Sequence, residues 1–122
     1  MAAGNDYTNT SVDLVPKDGG AVAVTIASSV GQGNGGTSIP CKKVYVQGAI
    51  SNASYTMMNI NAAATSVLGI GLPNGGGMGT SITVFVSTQI TPPPMSLEID
   101  DVNKLYFWNK TDGDIVNILY RR

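Results

Sequence analysis

The chain has 122 residues, of which only 12 % are charged, and its formal net charge at pH 7 is -1. It contains one cysteine, so it forms no internal disulfide, and no histidine, the side chain that most often acts as general base or metal ligand near neutral pH. So small a net charge supplies little long-range field for attracting nucleic acid or an anionic membrane, and we expect neither as a partner.

The N-terminal residues differ from the rest of the chain. Residues 1–13 are polar and lack periodicity, which predicts an extended N-terminal arm, with terminal disorder as the alternative. Residues 14–122 are predicted to form one domain with a single core. The first residues show no basic segment followed by an apolar one, and no run is long enough to span a bilayer. We therefore expect the protein to be assembled in a cytoplasm.

Alternation of apolar with polar or small residues runs along most of the chain and predicts about eight short strands. The segments between them are rich in turn-forming residues, so that 28–38 is predicted as a flexible loop and 51–54 as a hairpin-type turn. The expected architecture is all-β, an antiparallel β-sandwich of jelly-roll type. The predicted strands are 21–27, 41–49, 55–60, 67–72, 80–89, 95–99, 104–108 and 115–120.

The alternation also assigns side chains to faces. In the second strand Val44 and Val46 are expected to point inward, and in 104–108 Phe107 is expected to face the core. Tyr106 and Trp108 then share the opposite face, where an exposed Tyr/Trp pair is typical of a subunit contact. A second packed layer under a loop is the alternative for this pair. The candidate subunit or capsid contacts are Asn5 and Tyr7 in the arm, Tyr45, Tyr106 and Trp108.

No motif predicts a catalytic, cofactor or metal site. Cys41 begins an apolar strand and is expected to be a small buried side chain and not a nucleophile. Residues 31–36 contain a GxGxxG spacing, but a proline and a strand follow where a dinucleotide site needs a helix. Calcium binding at the turn carboxylates is the one metal alternative, although turns favour aspartate for conformational reasons alone. These carboxylates belong to Asp100, Asp101, Asp112 and Asp114.

Two parts of the chain carry a family resemblance. One is 39–47, with the sequence IPCKKVYVQ, and the other is 96–108, SLEIDDVNKLYFW, followed by GDIVNILYR at 113–121. Together they resemble small virion proteins of tailed bacteriophages, in which an IPCKxVxxQ strand, an LxIDDLxKLYF hairpin and a GDxVxxLYR strand recur.

The resemblance implies a structural role in a phage particle and brings no catalytic residue. Its first expectation is a capsid decoration (cement) protein on the virion surface, which binds the major capsid protein as a homo-oligomer, either a dimer or a trimer. The alternative is a tail, head-fibre or adaptor component that contacts host-surface glycans. A small lectin-like or hydrolytic domain is a further alternative, and the scarcity of acidic residues disfavours hydrolysis.

Overall fold

The computed structural model describes residues 18–76, 79–80 and 94–122. Within these ranges the protein is all-β, with nine strands in two sheets and no α-helix. No helix in this part of the chain is long and apolar enough to cross a membrane. The predicted arm, 1–13, and nearly all of the predicted strand 80–89 lie outside the described residues.

The larger sheet has five strands, namely β1 (Gly19–Thr25), β3 (Lys43–Ala49), β6 (Asn74–Gly76), β7 (Met95–Leu97) and β9 (Ile115–Arg121). Their order is β1-β9-β3-β6, with β7 also paired to β3. Strand β3 runs antiparallel to β7 and β9, but its pairing with β6 is parallel. The backbone N–H of Gly48 donates to the carbonyl of Pro73 at 2.8 Å, which starts β6 in the direction of β3. The expectation of a purely antiparallel arrangement is therefore wrong here.

The smaller sheet has four strands, namely β2 (Val30–Gln32), β4 (Thr56–Ile60), β5 (Ile70–Leu72) and β8 (Leu105–Trp108). Their order is β2-β8-β4-β5, and all of the pairings are antiparallel. Because β3 and β4 belong to different sheets, the turn at 51–54 is not the predicted hairpin turn but a crossing from one sheet to the other. Another of the chain's crossings between the sheets lies between β8 and β9.

One apolar core receives side chains from both sheets. Val44 and Val46 enter it from β3 and are fully buried, while Met58 and Phe107 enter it from the smaller sheet. The predicted inward positions of Val44, Val46 and Phe107 are confirmed. On β1, Val24 is buried and Val22 packs against the core, whereas Ala23 and Thr25 are exposed, again as the alternation predicts.

The predicted flexible loop at 28–38 contains ordered structure instead. The backbone groups of Ala27 and Val30 exchange two hydrogen bonds of 3.1 Å around Ser28 and Ser29. Both serines have positive φ, 52° and 68°, the conformation of a type I′ hairpin turn, which normally selects asparagine and glycine. The turn reverses the chain into β2, and the two serines explain why the sequence did not reveal it.

A close approach requires glycine at Gly33, in the 3-10 turn that follows β2. A Cβ added there would lie 2.0 Å from the carbonyl oxygen of Val102, which is backbone and cannot move aside alone. We expect Gly33→Ala to lower the free energy of unfolding by about 1–3 kcal/mol, the usual effect of overpacking. Urea denaturation measures the loss, and Gly71→Ala is the control because a Cβ at Gly71 meets no atom within 4 Å. Equal stability of the two variants would contradict the contact.

Strand β5 is shorter than the predicted strand 67–72. Thr65 and Leu68 exchange backbone hydrogen bonds of 2.9 and 3.3 Å, which closes a turn where the strand was expected to begin. Gly69, with φ of 138°, then passes close to the backbone of Met58. Val67 is consequently at the tip of a turn, 90 % exposed, and not in a strand.

Candidate functional site

The outward face of the smaller sheet carries a row of apolar positions that crosses all four strands. Val30 on β2 pairs with Trp108 on β8, Trp108 with Met57 on β4, and Met57 with Gly71 on β5. The adjacent positions on these strands face the core, so this row points away from it. We call Val30, Trp108, Met57 and Gly71 the apolar row.

A second aromatic ring extends the apolar row at one end of β4. The ring of Tyr55 packs against Trp108 with 5.9 Å between the centroids and an angle of 46° between the planes. Tyr55 is 49 % exposed and Val30 is 53 % exposed, while Trp108 is half-buried. Aromatic and aliphatic groups that lie together in solvent are typical of surfaces that another molecule covers.

A polar row lies beside the apolar one, with Gln32 paired to Tyr106 and Tyr106 paired to Asn59. The two amides are already hydrogen-bonded within the chain. Gln32 Nε2 donates to the carbonyl of Asn103 at 2.7 Å, and Asn59 Oδ1 accepts from the N–H of Ile60 at 2.9 Å. Each of these amides therefore helps to hold its own segment in place.

The predicted contact residues do not lie on one surface. Tyr106 and Trp108 share the outward face of β8, as the alternation predicts. Tyr45 is on the outward face of β3 in the other sheet, where Lys43 Nζ lies 5.2 Å from the centre of its ring. Asn5 and Tyr7 lie outside the described residues. Whether any of these residues makes a contact stays a prediction.

Three of the side chains on this surface were missed from the sequence. Tyr55 and Met57 alternate on β4, a signal that places them on one face but not beside Trp108, because the strand pairing is not local. Val30 was assigned to a loop, since the serine turn before it was not recognised.

Cys41 is buried, as predicted, and belongs to the core cluster. Its thiol donates to the carbonyl of Ile99 over 3.2 Å. Burial raises the pKa of the Cys41 thiol, and the negative charges of Asp101 and Asp100 raise it further. The thiol form is favoured, which disfavours a nucleophilic role.

The turn carboxylates at 100–101 have local structural partners. Asp101 caps the 3-10 turn at Val102–Lys104 by accepting from the N–H of Asn103 at 3.0 Å. It also accepts from the Ser38 hydroxyl, and this hydrogen bond is the main reason that the pKa of Asp101 is lowered. Asp100 pairs with Lys104 at 2.5 Å. Among residues 18–76, 79–80 and 94–122, no group of three or more Cys, Asp or Glu side chains could hold a metal ion.

Asp114 is the centre of a buried polar network between two of the sheet crossings, the one that follows β3 and the one that precedes β9. The carboxylate is 6 % exposed and accepts from the N–H groups of Ala53 and Ser54 at 3.0 and 3.1 Å. Asn109 Nδ2 donates to it at 3.0 Å and to the hydroxyl of Thr56 at 2.9 Å. The network joins the crossing after β3 to the crossing before β9, so its role is structural and not that of a ligand site.

Comparison of the chain with protein families, with curated proteins and with solved structures finds no match.

Proposed function

We propose that the protein is a structural component of a phage virion, a capsid decoration protein that binds the head shell as a homo-oligomer. The observation that carries the proposal is the uncovered aromatic and apolar surface around Trp108 and Tyr55 on a weakly charged β protein. Such a surface suits a chain that works packed against other chains. The sequence resemblance to small virion proteins agrees with it.

The mechanism is mechanical. Oligomers lie over junctions between copies of the major capsid protein and tie them together against the pressure of packaged DNA. Binding to the mature lattice and not to the dissociated subunits stabilises the shell by mass action. In this proposal the two sheets are the layers of a jelly-roll-like β-sandwich, which is supported by a core that draws on both of them.

Immunogold labelling of purified particles tests the location. If the protein decorates the capsid, gold label is expected at regular positions over the head shell. Label confined to the tail or to one vertex overturns decoration and makes the fibre or adaptor function the leading one.

Deletion of the arm tests how attachment occurs. We expect a variant lacking residues 2–13 to bind shells at least about tenfold more weakly, since each lost contact of 1.4 kcal/mol costs a factor of ten. Cosedimentation with shells that lack the protein measures the affinity. A variant with the same arm residues in scrambled order is the control for length and composition.

Unchanged thermal unfolding of the deletion variant is needed to separate lost attachment from lost folding. Attachment equal to that of the full chain would refute the role of the arm. Failure of the full chain to bind any shell would overturn the decoration function itself.

The Tyr55–Trp108 pair supports one alternative, a tail or head-fibre component that binds host-surface glycans, because sugars stack on exposed aromatic rings. Binding of the purified protein to a glycan array, lost on Trp108→Ala, would favour this function over decoration.

A further inference from the structure

The members of the apolar row and Tyr55 carry no charge. An ionised side chain, Asp112, lies at the edge of this patch, where it accepts from the N–H of Ser29, the residue before Val30, at 3.3 Å. The sequence contains no Asp, Glu, Lys or Arg between Lys43 and Glu98, and this stretch supplies β4, β5 and Tyr55. The remaining members, Val30 and Trp108, are also neutral. Further exposed apolar side chains lie in the same stretch, namely Ile50, Ile60, Val67, Leu68 and Ile70.

We propose that the apolar row, together with Tyr55, is the interface between two copies of this chain, related by a twofold axis. The inference rests on the proposed function and deepens it, because it assigns this face to the contact within the oligomer and not to the contact with the capsid. Attachment to the shell then falls to other parts of the molecule, such as the arm.

The absence of charge in the apolar row favours a second copy of this chain as the molecule that covers it. A twofold contact sets one patch against the same patch, so any ionised group in it faces its own like charge. A patch without ionised groups avoids this cost and is complementary to itself.

The same observations disfavour other occupants. A sugar requires polar groups that fix its hydroxyls, and the nearby amides of Gln32 and Asn59 each already make a hydrogen bond within the chain. A highly charged partner finds no opposite charge among the members of the apolar row. A lipid surface is best bound where lysine and arginine flank the apolar groups, and the apolar row has neither.

Trp108 makes the test direct because it is the only tryptophan of the chain. Sedimentation velocity and acrylamide quenching of Trp108 fluorescence are followed across the micromolar range with the purified full-length protein alone. We expect the mass to rise from monomer to dimer and the quenching of Trp108 to fall over the same concentrations.

Val30→Glu places a charge in the proposed interface at a position that is exposed in the monomer, so the fold should tolerate it. We expect self-association to weaken at least about tenfold, because the two new carboxylates approach each other across the twofold axis. Thr25→Glu, an exposed strand position on the other sheet, adds the same charge and should leave association unchanged. An equimolar mixture of Val30→Glu and Val30→Lys should associate more strongly than either variant alone.

A protein that stays monomeric with freely quenched Trp108 overturns the inference, as does a dimer that Val30→Glu leaves intact. If Trp108 becomes protected from quenching only after shells are added, the face binds the capsid. That result also overturns the inference, but it supports decoration. Protection only by a glycan overturns it in favour of sugar binding. A dimer broken by Val30→Glu supports it even if no shell is bound, and in that case decoration alone fails.

Discussion

Phe107→Ala is expected to lower the free energy of unfolding by about 3–5 kcal/mol. Phe107 is 1 % exposed and lies on β8 between Gly31 and Met58. Gly31 has no side chain that could move into the space of the lost ring, so a cavity would remain. Total stabilities of such domains are about 5–15 kcal/mol, so the loss is a large part of the whole. Urea unfolding, followed by Trp108 fluorescence, measures it.

The adjacent residue supplies the control for this substitution. Tyr106→Ala also removes an aromatic ring from β8, but from its half-buried outward face, and should cost about 1 kcal/mol. Equal losses for the two variants would mean that β8 does not direct Phe107 into the core and Tyr106 away from it.

The strand faces could be predicted because they depend on neighbours in the sequence. Once β3 and β8 are strands, the period of two decides that Val44 and Phe107 lie on the opposite face from Tyr45 and Trp108. The core needs only one consistent apolar set on each strand, and the alternation supplies it. Burial of Cys41 was predicted from its residue type and not from this pattern, since Cys41 precedes β3 and shares the parity of the outward Tyr45.

The pairings could not be predicted because they depend on residues far apart in the chain. Nothing in 73–77 indicates that Pro73 accepts a hydrogen bond from Gly48 and starts a parallel pair. The positive φ of Ser28 and Ser29 is likewise held by the pairing of Ala27 with Val30, and the residue types do not favour it. Both errors hid short strands in segments rich in glycine, asparagine and serine.

The candidate surface could likewise be predicted within one strand but not across strands. Tyr106 and Trp108 on one face follow from alternation within β8, whereas Tyr55 and Val30 join Trp108 through the register of β4 and β2 against β8. Register fixes which side chains meet across strands, and it is set by turns and pairings that the local pattern does not encode.

The aspartates at 112 and 114 also show that the local sequence does not determine which residues meet in the fold. Asp112 and Asp114 flank one glycine and are equally suited to a turn in sequence terms. Only Asp114 meets the backbone of Ala53 and Ser54, because the crossing after β3 and the crossing before β9 come together there. The difference between an exposed turn residue and a buried acceptor thus arises from the meeting of two distant turns.

Asp114→Ala is therefore expected to lower the free energy of unfolding by about 3 kcal/mol, although it removes only one small side chain. The substitution leaves the N–H groups of Ala53 and Ser54 without the carboxylate that accepts from them, at a position that is 6 % exposed. It also removes one hydrogen bond of the Asn109 amide, which keeps its hydrogen bond to Thr56. Unsatisfied buried donors cost about 1–3 kcal/mol each, partly relieved where water enters. Chemical denaturation measures the loss.

Asp112→Ala is the matched control, since it removes the same charge two residues away. Asp112 is exposed and accepts one hydrogen bond, from the N–H of Ser29 at 3.3 Å, so its loss should cost no more than about 0.5 kcal/mol. A large difference between the two variants assigns the effect to the acceptor role of Asp114. Equal and large losses would assign it to the net charge of the turn, and equal small losses would mean that the two crossings are held together by packing alone.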